Sequence, residues 1–155
     1  MKIRSVRANT RRRAFEVQTA SKKLLLPFAK VAPQPTVKDS ISRLFVDKEL
    51  AREGFTYVLR SGREGTVHIE QVLEYNQDPD YLRDVVLYKL TIEAQKRVQK
   101  TRVAKREIIR RLGTSASQFY RLLDQKNYRK SVDQMLSLLH VLDCEVDLVV
   151  RVKTA

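Results

Sequence analysis

The chain has 155 residues, of which 43% are hydrophobic, and this size fits one domain or two small domains with a buried core. Its 31 Lys and Arg residues against 18 Asp and Glu give a formal net charge of +13, which favours nucleic acid as a partner over an anionic membrane surface. Only four glycines and four prolines argue against a many-turned all-β protein. The lone Cys144 excludes an intrachain disulfide and favours a reducing, cytoplasmic location.

The first half, residues 1–78, is predicted to be a small α+β domain built on an antiparallel sheet. Apolar alternation predicts strands, and Gly62 and Gly65 mark the turn of a β-hairpin. One short helix is expected in this half. The predicted strands cover residues 14–18, 23–27, 41–46, 55–60 and 66–69, and the helix covers residues 47–53.

The second half, residues 79–155, is predicted to be helical. Asp78 followed by Pro79 is a helix start, and an apolar stripe then runs to about Lys100, with a break possible near Leu90. Gly113 is the expected end of a helix over residues 105–112. Thr114 or Ser115 caps a helix over residues 116–124, and a capping box at Ser131 starts a helix over residues 132–142.

The C-terminal residues predict a strand after these helices. Apolar residues alternate with polar ones here, so an extended segment would have one apolar face, made of Val146, Leu148, Val150 and Val152. A lone strand is unstable, and we therefore expect this one to pair with the N-terminal sheet or with its copy in a second chain.

Positive charge is concentrated in residues 96–130, which hold twelve Lys and Arg against two acids, Glu107 and Asp124. Two short helices joined at Gly113 occupy the middle of this stretch. This combination predicts that the second helix presents its N-terminal end to DNA bases, while cations around it contact phosphates. The expected base-reading residues are Ser115, Ala116, Ser117, Gln118 and Arg121. The expected phosphate-binding residues are Lys105, Thr114, Tyr120, Lys126, Arg129 and Lys130.

Residues 108–115 and 118–124 resemble the helix-turn-helix domain of the phage-repressor and Cro type, also called the xenobiotic-response-element-like family. The resemblance covers roughly residues 90–152 and is closest to bacterial regulators and antitoxins. It implies a compact helical fold that is usually dimeric on DNA. The N-terminal half resembles a small uncharacterised domain found ahead of such units, mainly in residues 73–76 and 78–82, and the sequence leaves its role open.

Three positions depart from the pattern of that family. Ala104 stands where Ser or Thr usually caps the first helix, and Ile109 stands where a smaller alanine is common. Asp143 replaces a glycine in the turn after Leu142, although Asp tolerates the left-handed conformation better than most residues.

The sequence predicts neither an enzyme nor a cofactor or metal site. His68 and His140 lack metal-ligand spacing, and Cys144 lies between Asp143 and Glu145, where a thiolate is disfavoured. No apolar run is long enough to cross a bilayer, so no membrane-spanning helix is expected, and a membrane is not among the expected partners. The leading interpretation is a dimeric transcriptional regulator on a palindromic operator. An antitoxin with a protein partner and a protein-interaction or RNA-binding module are the alternatives.

Overall fold

A computed structural model describes residues 1–153 of the chain. Within these residues the chain divides into two compact units, Met1–Leu82 and Arg83 onward. The architecture is mixed, with two three-stranded antiparallel sheets and five α-helices, so the predicted α+β class is confirmed. The sequence placed the boundary after Asp78.

The first unit contains both sheets. The first sheet has the order β1-β2-β3 and is followed by a single 3-10 turn at Phe28–Lys30, and the second has the order β4-β5-β6 and leads into helix α1. The strands are β1 (Ile3–Asn9), β2 (Ala14–Thr19), β3 (Lys23–Pro27), β4 (Ile41–Val46), β5 (Gly54–Leu59) and β6 (Glu64–His68), and α1 spans Ile69–Tyr75.

Four aromatic rings form the centre of the first unit. The Phe15 ring lies 4.9 Å from those of Phe28 and Phe55 and 5.1 Å from that of Tyr57, between centroids. The Tyr57 hydroxyl donates a hydrogen bond of 2.7 Å to the Pro33 carbonyl. Gly65 lies against the Tyr57 ring, and a Cβ there would come within 2.4 Å of its hydroxyl oxygen. This close approach explains a glycine inside β6. The prediction that Gly65 marks the turn of the hairpin is therefore wrong, whereas Gly62 does lie in that turn, with φ of 89°.

Two further predictions in the first unit are wrong. Residues 47–53 form a turn because Ala51 and Arg52 adopt left-handed backbone angles, which no helix can include. The helix of this unit is α1, which begins where the sequence predicted the end of a strand. His68 caps it by accepting from the Glu70 N–H, while Gln71 Oε1 accepts from the His68 N–H.

The second unit is a cluster of helices around one core. They are α2 (Pro79–Lys100), which starts in the first unit, then α3 (Lys105–Leu112), α4 (Ala116–Leu123) and α5 (Val132–Val141). Asp78 Oδ1 accepts from the Tyr81 N–H, which confirms the predicted start of α2. α2 is continuous through Leu90, so the break considered there is absent, and the Thr91 hydroxyl donates to the Leu87 carbonyl at 2.6 Å. The buried side chains of this core are Leu87, Ala94, Ile108, Phe119, Leu122, Met135, Leu138 and Leu139.

The predicted C-terminal strand is absent from the described residues 145–153. These residues follow a turn in which Asp143 takes the expected left-handed conformation, with φ of 56°. Leu148, Val150 and Val152 are 82%, 84% and 94% exposed. A strand exists only through hydrogen bonds to a neighbouring strand, and this segment has no such neighbour in the described part of the chain.

Candidate nucleic-acid interface

Helices α3 and α4 are joined by three residues whose conformations end one helix and start the next. Gly113 closes α3 in the left-handed conformation, with φ of 68°, and its N–H donates to the Arg110 and Ile109 carbonyls. Ser115 then caps α4, since its hydroxyl accepts from the Gln118 N–H at 3.1 Å. Ala104 precedes α3 without a side-chain cap, as the sequence predicted. The connection therefore fixes where the N-terminus of α4 begins.

Helix α4 has one buried face and one exposed face. Phe119 is fully buried and Leu122 is 3% exposed, so both anchor the helix in the core of the unit. Helical spacing leaves Ser117, Tyr120 and Arg121 on the opposite, exposed face. An α-helix that is packed against the core on one face can enter the major groove with the other face, and the small residues at its N-terminal end allow a close approach.

The five residues predicted to read bases differ in their surroundings. Ala116, Ser117 and Arg121 are exposed. Gln118 is half-buried and lies with Arg121 in the lining of an open cleft of about 500 Å³. The Ser115 hydroxyl is already engaged as the cap of α4, and this bond limits what it can offer to a base.

Most of the cations predicted to bind phosphates lie on the surface. Lys105 is exposed at the start of α3. Its ammonium lies 5.9 Å from the centre of the Tyr120 ring, a distance at which a cation is attracted to the ring face, so the two side chains lie side by side on the surface. Lys126 and Arg129 are exposed in the loop after α4. They form no ion pair within residues 1–153. Thr114 is half-buried in the connection between the two helices.

The prediction that Lys130 binds a phosphate is wrong. Its side chain is 5% exposed, and its ammonium donates to the Leu122 and Asp124 carbonyls, each at 2.8 Å. Burial lowers the pKa of this ammonium, while the charge of Asp124 opposes that shift. The structure thus gives Lys130 a role inside the unit, because a lysine this enclosed cannot also reach a phosphate.

Lys130 belongs to a set of side chains that satisfies the C-terminus of α4. The last carbonyls of a helix have no partner within the helix. Here Asn127 donates to the Arg121 carbonyl at 3.2 Å and Gln95 of α2 donates to that of Leu123 at 2.7 Å. With the two bonds from Lys130, all four carbonyls from residue 121 to 124 receive a side-chain donor. The sequence carried no recognised signal for these caps.

Glu107 balances part of the positive charge on α3. Its carboxylate accepts from Arg110 Nη2 at 2.5 Å and from Arg111 Nε at 3.0 Å. The bonds to Arg110 and then Arg111 lower the pKa of Glu107 to about 2. Arg110 and Arg111 are therefore partly neutralised, whereas the cations beside α4 are not.

Among the described residues, no group of three or more His, Cys, Asp or Glu side chains is arranged to hold a metal ion. None of the helices over residues 1–153 combines the length and the apolar character needed to cross a membrane. No family model matches the chain, and comparisons with curated proteins and with solved structures found no significant match.

Proposed function

We propose that the chain is a sequence-specific DNA-binding transcriptional regulator that reads bases with helix α4. The observation that carries the proposal is the exposed face of α4, in which Ser117, Tyr120 and Arg121 stand opposite the buried Phe119 and Leu122. The resemblance of residues 90–152 to repressor-type helix-turn-helix domains supports the same role.

In this proposal the N-terminal end of α4 enters the major groove. Ser117 and Gln118 offer hydrogen bonds to base edges, and Arg121 pairs with O6 and N7 of a guanine. Lys105 with Tyr120 on one side, and Lys126 with Arg129 on the other, contact the phosphates that border the groove. Regulation then follows from occupancy of an operator, without turnover or a cofactor.

We propose further that the regulator is a homodimer that pairs its C-terminal segments. Val146, Leu148, Val150 and Val152 form an exposed apolar row that has no neighbour in the described residues. A two-fold axis through two such segments would bring them together as antiparallel strands. The two α4 helices would then face half-sites about 34 Å apart on a palindromic operator.

The test is selection of bound fragments from sheared genomic DNA at about 0.15 M salt, where attraction to the backbone alone is much weakened. We expect enrichment of one or a few sites with two-fold symmetry. Recovery of fragments without sequence preference would contradict base reading by α4. In that case a role in binding RNA or protein would explain the charge better.

A further inference from the structure

The first unit has its own uneven distribution of charge. Residues 1–30 hold nine Lys and Arg against one acid, Glu16, whereas residues 31–82 hold six against nine acids. Seven of the nine basic residues of the first stretch belong to the β1-β2-β3 sheet and its connections. This polarity is independent of the charges around α4, because it belongs to the other unit.

The strand register places polar residues of this sheet on one face. Phe15, Val17, Leu24 and Leu26 fill the core, so the residues between them face outward. Ser5 pairs with Gln18, which pairs with Lys23, and Arg7 pairs with Glu16. Arg7, Arg12 and Lys23 line an open cleft of about 670 Å³ on this side of the sheet.

The single acid of the stretch is occupied by its neighbours. Both Nε and Nη2 of Arg7 donate to Glu16 Oε2, and Asn9 Nδ2 donates to Oε1 at 2.6 Å. Asn9 Oδ1 also accepts from the Arg12 N–H at 3.0 Å, which holds the turn between β1 and β2 in place. The positive charge that remains unbalanced on this face lies on Arg12 and Lys23.

The turn between β1 and β2 adds further cations beside the cleft. Arg11, Arg12 and Arg13 are consecutive and exposed, and none of them forms an ion pair within residues 1–153. None of the described residues lining the cleft is aromatic, so the face lacks the rings on which unpaired bases stack. Its chemistry therefore suits phosphates more than bases.

We propose that the outer face of the β1-β2-β3 sheet, with its β1–β2 turn, is a second contact to the phosphate backbone of duplex DNA. The inference rests on the proposed DNA-binding function, because a second basic surface gains from the first only if both bind one polymer. Arg12 and Lys23 bind phosphates without regard to sequence and add affinity to every duplex alike.

The test compares two double variants of the full chain. Arg12→Gln with Lys23→Gln removes two cations from the proposed face, and Lys48→Gln with Arg60→Gln removes two exposed cations from elsewhere in the same unit. Affinity for one selected and one random duplex is measured between about 0.05 and 0.2 M salt. In the first variant the slope of log affinity against log salt should lose about 0.9 in magnitude for each phosphate contact removed.

The outcomes separate this inference from the proposed function. A reduced slope in the first variant alone, with the preference for the selected duplex kept, is the expected result. Equal slopes in both variants would overturn the inference but would not affect base reading by α4. The basic face would then be better explained by binding to a partner such as an acidic protein. Equal affinity of the wild type for both duplexes would contradict the proposed function, and the slopes would still decide the inference. A wild type without affinity for either duplex would overturn both.

Discussion

Arg121 and Lys126 are exposed cations near α4 to which the proposed interface gives different tasks. Arg121→Ala should cost about 1–3 kcal/mol on the selected site and relax the base preference at one position. Lys126→Ala should weaken all duplexes alike and reduce the salt slope by about 1. Fluorescence anisotropy with selected and random duplexes measures both effects. Equal losses on the two duplexes for Arg121→Ala would refute its base-reading role.

Lys130 stabilises the second unit from within. Lys130→Met keeps an unbranched side chain of nearly the same length but removes the ammonium, and with it both hydrogen bonds to the Leu122 and Asp124 carbonyls. A buried polar group without its partner costs about 1–3 kcal/mol, so the free energy of unfolding should fall by at least that order. Urea titration measures this change, with the exposed Lys126→Met as control, expected within about 0.5 kcal/mol of wild type. Equal stability of the two variants would mean that the carbonyls of α4 need no lysine.

Glu107 makes stability depend on pH in the acid range. Its pKa lies at about 2 in the folded chain against an ordinary value of 4.5, so the folded state favours the ionised carboxylate. That contribution is complete above pH 4.5 and is lost as the pH falls toward 2. The Tm of wild type should exceed that of Glu107→Gln near neutral pH and approach it on acidification.

Thermal melts of both chains between pH 7 and pH 2.5 at low salt measure the gap. Glu93→Gln serves as control, because it makes the same change of charge at a carboxylate with a single ion-pair partner, Lys96. A gap that stays constant over this range would exclude the two arginines as its cause.

Among the elements, the C-terminal segment carries the prediction for assembly. Truncation after Cys144 keeps the bond from the Cys144 N–H to the Leu139 carbonyl at 2.9 Å and removes the whole apolar row. We expect the full chain to be a dimer and the truncated chain a monomer by light scattering. The full-length variant Leu148→Asp with Val150→Asp should also be monomeric, because it buries two charges in the paired segment. A dimer that survives both changes would place the interface elsewhere.

The elements that the sequence predicted well have strong local signals. The hairpin β5-β6 follows from alternation on both sides of Gly62, although Gly65, which was expected in the same turn, lies in β6. The bounds of α3, α4 and α5 follow from Gly113, Ser115 and Ser131. β1 was missed because a register shift between Ile3 and Ser5 changes which residues face the core. Inward Ile3 is followed by inward Val6 and Ala8, so the alternation is broken. α1 was missed because histidine is an uncommon helix cap.

The sequence predicted which residues of the candidate site are exposed only where that exposure follows from the position of a helix. Exposure of Ser117, Tyr120 and Arg121 follows from helical spacing, since Phe119 and Leu122 are apolar. The inward position of Lys130 could not be foreseen, because it depends on carbonyls that only the folded end of α4 brings together. The C-terminal strand is absent from the described residues for the opposite reason: alternation shows that a segment can pair, but not that its neighbour lies in the same chain.

At the scale of the whole molecule, the two units have separate cores. The buried cluster around Phe15 and Phe55 shares no residue with the cluster around Met135 and Leu138. We therefore expect calorimetry to show two transitions. Met135→Ala should shift only one of them, since deleting a buried side chain of this size costs about 2–5 kcal/mol in its own core. Phe55→Leu should shift the other. One shared transition that both substitutions move would contradict separate folding units.

The side chains that hold the C-terminus of α4 have a consequence for the thermodynamics of binding. A helix whose terminal carbonyls are already bonded to α2 and to its own loop is ordered before DNA arrives. Association then loses little backbone entropy at α4, in contrast to segments that fold on binding. Amide hydrogen exchange in α4 should accordingly be slow in the free protein and change little in the complex. The ordering that DNA does impose should be concentrated in the exposed side chains of Ser117, Tyr120 and Arg121.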